Sequence, residues 1–272
     1  MFVLLPIGYG FFVSLHEFDG FGPMKWIGLE NYSIILSRDM VFRQALLNTV
    51  LFAVGVVIGK NVIGLALAFL VNQPLKGMTV FRTAFFLPVT MNVLVIGSFW
   101  TFFLSSSNGL LAETLRALGL EALAIGWLSD ERFALLAVIG VEIWRWVGLH
   151  MLIYLAGLQD IPEELYEVAR LDGASGWTLL TKITIPMIRP IIFVSTLLAL
   201  MGAFVRNFDL VWVLTRGGPG TASEVVLTRV YNEAFQFGRL GRASAMGYIL
   251  FAIVAVIAFV YVRQARSGRV DY

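Results

Sequence analysis

Cysteine is absent from the chain, which excludes disulfides, zinc-thiolate sites and thiol catalysis. Histidine is almost as scarce: His16 and His150 are the two copies, too few for a histidine-based metal centre, so no metal site and no catalytic residue is expected. An integral-membrane enzyme would need His, Asp or Cys clustered near an interface, and the sequence offers no such cluster. Charge is the third shortage. Asp, Glu, Lys and Arg make up 14% of the residues against about 25% in a soluble domain, while 58% are hydrophobic. That leaves too little polar surface to cover the chain in water, and a lipid bilayer resolves the deficit. The formal charge of +2 is not concentrated on any soluble face, so no nucleic-acid partner is expected.

What the chain has instead is long apolar runs. Residues 83–112 and 243–262 contain no Asp, Glu, Lys or Arg, and each is long enough for a helix of about 20 residues to cross a bilayer. Three further runs carry isolated charges: 45–71 with Lys60, 133–158 with Glu142 and Arg145, and 187–214 with Arg189, Arg206 and Asp209. A charge facing lipid costs about 2.5 kcal/mol or more, so these helices should turn one side to protein or to a cavity. Residues 1–15 are apolar but short, and without a basic leader or a small-residue cleavage site they read as a truncated first span rather than a signal peptide. The expected fold is all-α: one membrane domain over residues 1–272 with about six transmembrane helices, the first truncated. The basic tail (Arg263, Arg266, Arg269) and the tight turn bearing Lys76 and Arg82 favour a cytoplasmic carboxyl terminus.

Between the spans, Pro and Gly punctuate a first external loop over residues 16–43 and a turn over 72–77. Residues 110–120 alternate at helical spacing and predict a short amphipathic helix at the outer interface, where Trp127 would anchor. Gly55 and Gly59 lie next to Lys60, but the spacing is wrong for a phosphate loop and no Ser or Thr follows the lysine. They read as a helix-packing pair. Residues 160–186 differ in kind. Asp160 is placed to cap a helix, with Pro162 in its first turn and Glu163 at the positive end of its dipole. Gly173 supplies a stop, Ser175 caps a second short helix bearing Trp177, Leu179 and Leu180, and Pro186 marks entry into the next span. The prediction is a helix-turn-helix outside the bilayer, with Leu165, Val168 and Ala169 on one stripe suited to a partner's groove.

Glu167-Val168-Ala169, then Gly173 after three residues, then Ile183-Thr184-Ile185-Pro186 after nine more, resembles the EAA loop of ABC-importer permeases. Val168 and Ile185 replace the motif's alanine and leucine. The stretch from Ile161 to Ala174 is similar to the carbohydrate-uptake branch, the maltose and glycerol-3-phosphate type. Leu214-Thr215-Arg216-Gly217-Gly218-Pro219, with Tyr231, Ala234-Phe235 and Gly241-Arg242-Ala243, resembles the first of two paralogous permeases. Weaker matches fall at residues 28–32, Asn48-Thr49, 86–88 and Trp127-Leu128, so the resemblance covers nearly the whole chain. It implies that residues 160–186 are a cytoplasmic coupling loop, with Glu167, Ala169 and Gly173 at the motif positions, seated in a cleft of a separate ATPase. The implied partners are a paralogous permease, two ATP-binding-cassette ATPase subunits holding ATP and Mg, and an extracytoplasmic solute-binding protein, in the plasma membrane of a bacterium or archaeon.

The same register places Glu142, Trp146, Leu149, Phe204 and Asn207 at sugar-contacting positions of the maltose permease. Asn207 alone keeps the residue type. The alternative reading of these charges is structural, as a Glu142 to Arg145 or an Arg206 to Asp209 ion pair. Asn92 is expected to bond a neighbouring helix, Lys60 to snorkel or pair, and His150 to be packed. A neutral sugar is expected over glycerol phosphate because Glu142 and Asp209 would repel an anion, with Arg145 and Arg206 as the opposing pull that could reverse that argument. An ion-coupled secondary carrier is the competing class, and the lack of an evident internal repeat counts against it.

Overall fold

The computed structural model describes residues 4–106 and 109–267 of the chain; Arg269 of the basic tail and the first three residues of the expected first span lie outside them. Helix α1 (Leu4–Ser14) leads into a two-stranded ribbon, β1 (His16–Glu17) and β2 (Lys25–Trp26), in which His16 pairs with Trp26 and Glu17 with Lys25. After α2 (Glu30–Ser37) and the long α3 (Met40–Val71) come α4 (Met78–Thr90), α5 (Val93–Phe103) and α6 (Leu110–Ala117). Helix α7 (Ala134–Gln159) is followed by α8 (Glu163–Leu171), α9 (Gly176–Leu179), a π-helical turn at Leu180–Thr184, α10 (Ile185–Met187) and α11 (Arg189–Val205). The chain closes with α12 (Phe208–Leu214), α13 (Val226–Tyr231), a second π-helical turn at Asn232–Gln236, and α14 (Leu240–Ser267).

Helices α3, α7 and α14 are each long and apolar enough to cross a membrane. Two expected spans are broken. The charge-free run 83–112 takes in most of α4 and all of α5, which are bent by 102° at their junction. Pro88 sits in the last turn of α4, and the Asn92 side chain accepts from the Leu94 N–H at 2.8 Å, capping α5. Asn92 therefore makes a local cap where a bond to a neighbouring helix was expected. The run 187–214 breaks at Ile188, where Gly176–Met187 meets Arg189–Val205 at 68°, and again at Arg206-Asn207 before α12. The loop over 16–43 contains a ribbon and a helix that its Pro and Gly punctuation did not suggest.

The chain divides into two compact units: residues 1–52, 97–138 and 204–272 form one, and 53–96 and 139–203 the other. In the first, α14 runs back along α1, with the Tyr248 hydroxyl donating to the Ile7 carbonyl and the Tyr248 ring edge-on to Phe11 at 5.4 Å. Asn31 is buried and donates to the carbonyls of Ser14 and His16, both at 2.9 Å, so it holds the exit of α1 onto α2. The Thr215-to-Val225 loop is fastened the same way. The two N–H bonds of Asn48 on α3 are shared among the carbonyls of Thr221, Ala222 and Glu224 at 2.9–3.1 Å, and Thr49 accepts from the Val226 N–H.

In the second unit α3 and α7 lie against each other along glycines. A Cβ on Gly59 would stand 2.3 Å from Ile143, one on Gly55 3.2 Å from Ile139, and one on Gly64 2.9 Å from the His150 Cβ. The Gly55 and Gly59 pair is the packing site its spacing suggested, small residues letting two backbones approach. Ala68, Val71, Met151, Tyr154, Leu155, Leu158, Ile161 and Ile188 close a buried apolar cluster beneath it.

Candidate coupling loop and polar path

The polar segment after α7 folds as two helices around a glycine turn. Helix α8 starts at Glu163 with Pro162 as its N-cap in extended geometry and no side-chain cap, so Asp160 does not act as the expected cap. Proline fits there because its fixed φ suits the helix entry, and Glu163 and Glu164 in the first turn meet the positive end of the dipole. Gly173 has φ +83° and its N–H bonds the Arg170 carbonyl, while Ala174 bonds the Ala169 carbonyl, ending the helix as predicted. A Cβ on Gly173 would meet nothing within 4 Å, so the glycine serves backbone conformation and not close packing. The Ser175 hydroxyl accepts from the Thr178 N–H at 3.3 Å and caps α9.

On α8, Leu165, Val168 and Leu171 are exposed at 41, 58 and 89%, and Trp177 on α9 at 74%. The expected stripe is thus present and gains Leu171; Ala169 at its edge is half-buried, and Glu167 is exposed. The other side of α8 is tied down. Tyr166 packs on the buried cluster of α3, α7 and Ile188, and its hydroxyl meets Thr184 at 3.0 Å within the π-helical turn. One face is rooted in the spans and the opposite face is apolar and bare.

The polar residues of the spans fall in both units. In the second unit Glu142 is buried and its carboxylate accepts from the Lys60 ammonium at 2.7 Å. Lys60 therefore pairs, and it supplies Glu142 with a cation from another helix, where the structural alternative had named Arg145. Arg145 instead lies over the half-buried Trp146 at 5.3 Å, with the Lys60 ammonium 5.7 Å from the same ring. Leu149, one turn on, is half-buried. Next to Lys60, the Asn61 oxygen accepts from Tyr154 at 2.5 Å and from Ser195 at 2.8 Å, and Ser195 meets His150 Nδ1 at 2.8 Å. His150 is packed and hydrogen-bonded, as read. In the first unit Phe204 is buried, and Asn207 is buried at the start of α12. Arg206 and Asp209 are both outside the buried set, and no ion pair joins them among the described residues.

Residues 60–268 match the family model described as binding-protein-dependent transport system inner membrane component, about three quarters of the chain. The chain belongs to this family. Across 272 residues it is 39% identical to "Probable ABC transporter permease protein YurN" of Bacillus subtilis, covering 99% of this chain and 92% of that protein. It is 33% identical to the trehalose/maltose transport system permease protein MalF of Thermococcus litoralis and 35% identical to the lactose transport system permease protein LacF of Rhizobium radiobacter, covering 99% of this chain and 90% of each relative. Its fold is similar to a chain of a bacterial ABC transporter involved in the import of the acidic polysaccharide alginate, with TM-score 0.85 at 24% identity over 99% of this chain and 91% of that one.

In this inner membrane component, several residues that matter to the site were not singled out by sequence. Tyr166 lies inside the loop motif, but only its partner Thr184, 18 residues on, reveals it as the anchor. Asn61, Tyr154 and Ser195 belong to three helices, and nothing local marks their convergence. Asn48, by contrast, falls in a short matching block, and its three carbonyl partners give that block a physical reason.

Proposed function

We propose that the chain, with a paralogous permease, forms the pathway of a sugar importer driven by two separate ATP-binding-cassette ATPase subunits and fed by an extracytoplasmic solute-binding protein. ATP and Mg are held by the ATPases, and the permease performs no chemistry itself. The observation that carries this reading is the two-sided α8: Tyr166 and Thr184 root it in the span cluster while Leu165, Val168 and Leu171 stand exposed. A helix that buries its free stripe in an ATPase cleft would pass the cleft's closure directly to α3, α7 and α11. Glu167 pairs with a basic group on that surface, Ala169 keeps the approach close, and Gly173 makes the turn. The loop and the carboxyl terminus are cytoplasmic in this reading, in the plasma membrane of a bacterium or archaeon.

The sugar class is supported by the relatives, two of which are named for trehalose/maltose and lactose transport. The charge argument against glycerol phosphate is weaker than it looked, because Lys60 already neutralises Glu142. Glu142, Trp146, Leu149, Phe204 and Asn207 remain the proposed sugar-path residues, on the strength of their register.

The coupling role is tested by Gly173→Val and Val168→Glu in the assembled complex reconstituted with its binding protein. Valine at φ +83° costs roughly 1–2 kcal/mol of local strain without a clash, and glutamate puts charge on the bare stripe. Both variants should assemble in the membrane yet lose most substrate-stimulated ATPase activity. Normal stimulation in both would remove the coupling role.

A further inference from the structure

A cavity of about 320 Å³ opens between the β ribbon, α2 and the first turn of α14, at the low end of the roughly 300–1,000 Å³ of small-molecule sites. Six charged residues line it, Glu17, Asp19, Glu30, Lys25, Arg239 and Arg242, three of each sign. Lys25 and Glu17 face each other across 3.8 Å on the exposed rim, and the Asp19 carboxylate is taken up by the N–H groups of Phe21 and Gly22. Arg239 reaches towards Glu233 at 3.8 Å. That leaves Arg242, half-buried, and Glu30 with no ion-pair partner among the described residues. A third polar group stands with them. His16 lines the cavity at 6% exposure, and its Nδ1 meets the Phe12 carbonyl at 2.7 Å. A neutral ring that donates from Nδ1 to a carbonyl presents Nε2 as an acceptor.

We propose that this cavity seats the headgroup of phosphatidylethanolamine, its phosphate on Arg242 and its ammonium on Glu30 and His16 Nε2. Three features select this ligand. The lining carries no net charge, which suits a zwitterion over an anion. Two free acceptors suit an ammonium with three N–H bonds and gain nothing from choline, which has none. The place is an interface: α1 and α14 meet here, and away from the cavity they expose Leu4, Leu5, Ile7 and Phe11 on one helix and Phe251, Val256 and Phe259 on the other. Trp26 stands exposed on the ribbon, a residue type that settles at the headgroup level, and Phe21 stands exposed in the turn between its strands. Acyl chains leaving the cavity would run down the apolar flanks of α1 and α14.

The test is native mass spectrometry of the full chain from detergent containing equimolar palmitoyl-oleoyl phosphatidylethanolamine, phosphatidylcholine and phosphatidylglycerol. Retained phosphatidylethanolamine should exceed each of the others about fivefold. Arg242→Ala and Glu30→Gln should each bring that ratio close to one, while Arg132→Ala on an exposed loop leaves it unchanged. Circular dichroism checks the fold, and if Arg242→Ala is unfolded, Glu30→Gln with Arg242→Lys decides. Equal retention of the three lipids, preference for phosphatidylglycerol, or a preference that survives these substitutions overturns the site. Thermal stabilisation by soluble phosphoethanolamine equal to that by the lipid would overturn the membrane source of the ligand.

Discussion

The Lys60 and Glu142 pair offers a way to separate structural from transport roles. Its members are 2 and 3% exposed and 2.7 Å apart on α3 and α7. Glu142→Met leaves the Lys60 ammonium buried without its carboxylate, a loss of about 3–5 kcal/mol in buried pairs. At about 1.4 kcal/mol per decade this lowers the folded-to-unfolded ratio by two to three and a half orders of magnitude. Lys60→Met alone should cost a similar amount. Lys60→Met with Glu142→Met replaces both charges by apolar groups of comparable volume and should return to within about 1 kcal/mol of the parent. The measurement is SDS-titrated unfolding of the four proteins, read as a double-mutant cycle. Single losses of that size with a near-parental double variant give a coupling energy of about 5 kcal/mol or more; additive losses would refute the pair. Transport by the assembled complex then decides the second question. If Glu142 lines the sugar path, the double variant is stable and transports poorly. If it transports at the parental rate, Glu142 is a strut between helices and leaves the path.

Gly148→Ala should be among the most damaging single methyl additions, because its Cβ would lie 2.0 Å from the Phe85 carbonyl oxygen, a backbone atom no rotamer moves. A loss of about 3 kcal/mol or more in the same titration is expected, against no loss from Gly140→Ala, where nothing lies within 4 Å. Arg216 is exposed just past the end of α12 with φ +53°, a position that glycine fills without strain, so Arg216→Gly should stabilise by about 0.5–1 kcal/mol. A lower midpoint on thermal unfolding would contradict that. Burial pushes the Glu224 carboxyl up from its usual range against the Asn232 bond that favours its ionised form. A raised acid binds its proton more tightly in the folded chain, so its contribution is lost as pH rises from about 4.5 through the folded value. Glu224→Gln should flatten the fall in midpoint over that window, and an unchanged slope would exonerate the residue.

The legible parts of this protein are those whose physics is local. Apolar runs found the long helices α3, α7 and α14, and cap and turn residues found α8, the Gly173 turn and the Ser175 cap, because caps and turns are set by residues within four positions of one another. The break between α4 and α5 was also written locally, in Pro88 and Asn92, yet the absence of charge over thirty residues of 83–112 spoke louder and suggested one straight span. Hydropathy records whether a segment tolerates lipid, not whether it runs straight.

Glu142 shows the opposite limit. Three positions from Arg145 on the same helix, it invited a local ion pair, but its partner is 82 residues away. The two cations then divide the work, Lys60 neutralising the carboxylate and Arg145 covering the Trp146 face. Glycines at 55, 59 and 64 bring α3 close enough to α7 for that exchange. A packing motif readable in the sequence thus sets the electrostatics of residues whose partners were not. Widening that contact with a larger residue at position 59 would disturb Glu142 without touching it.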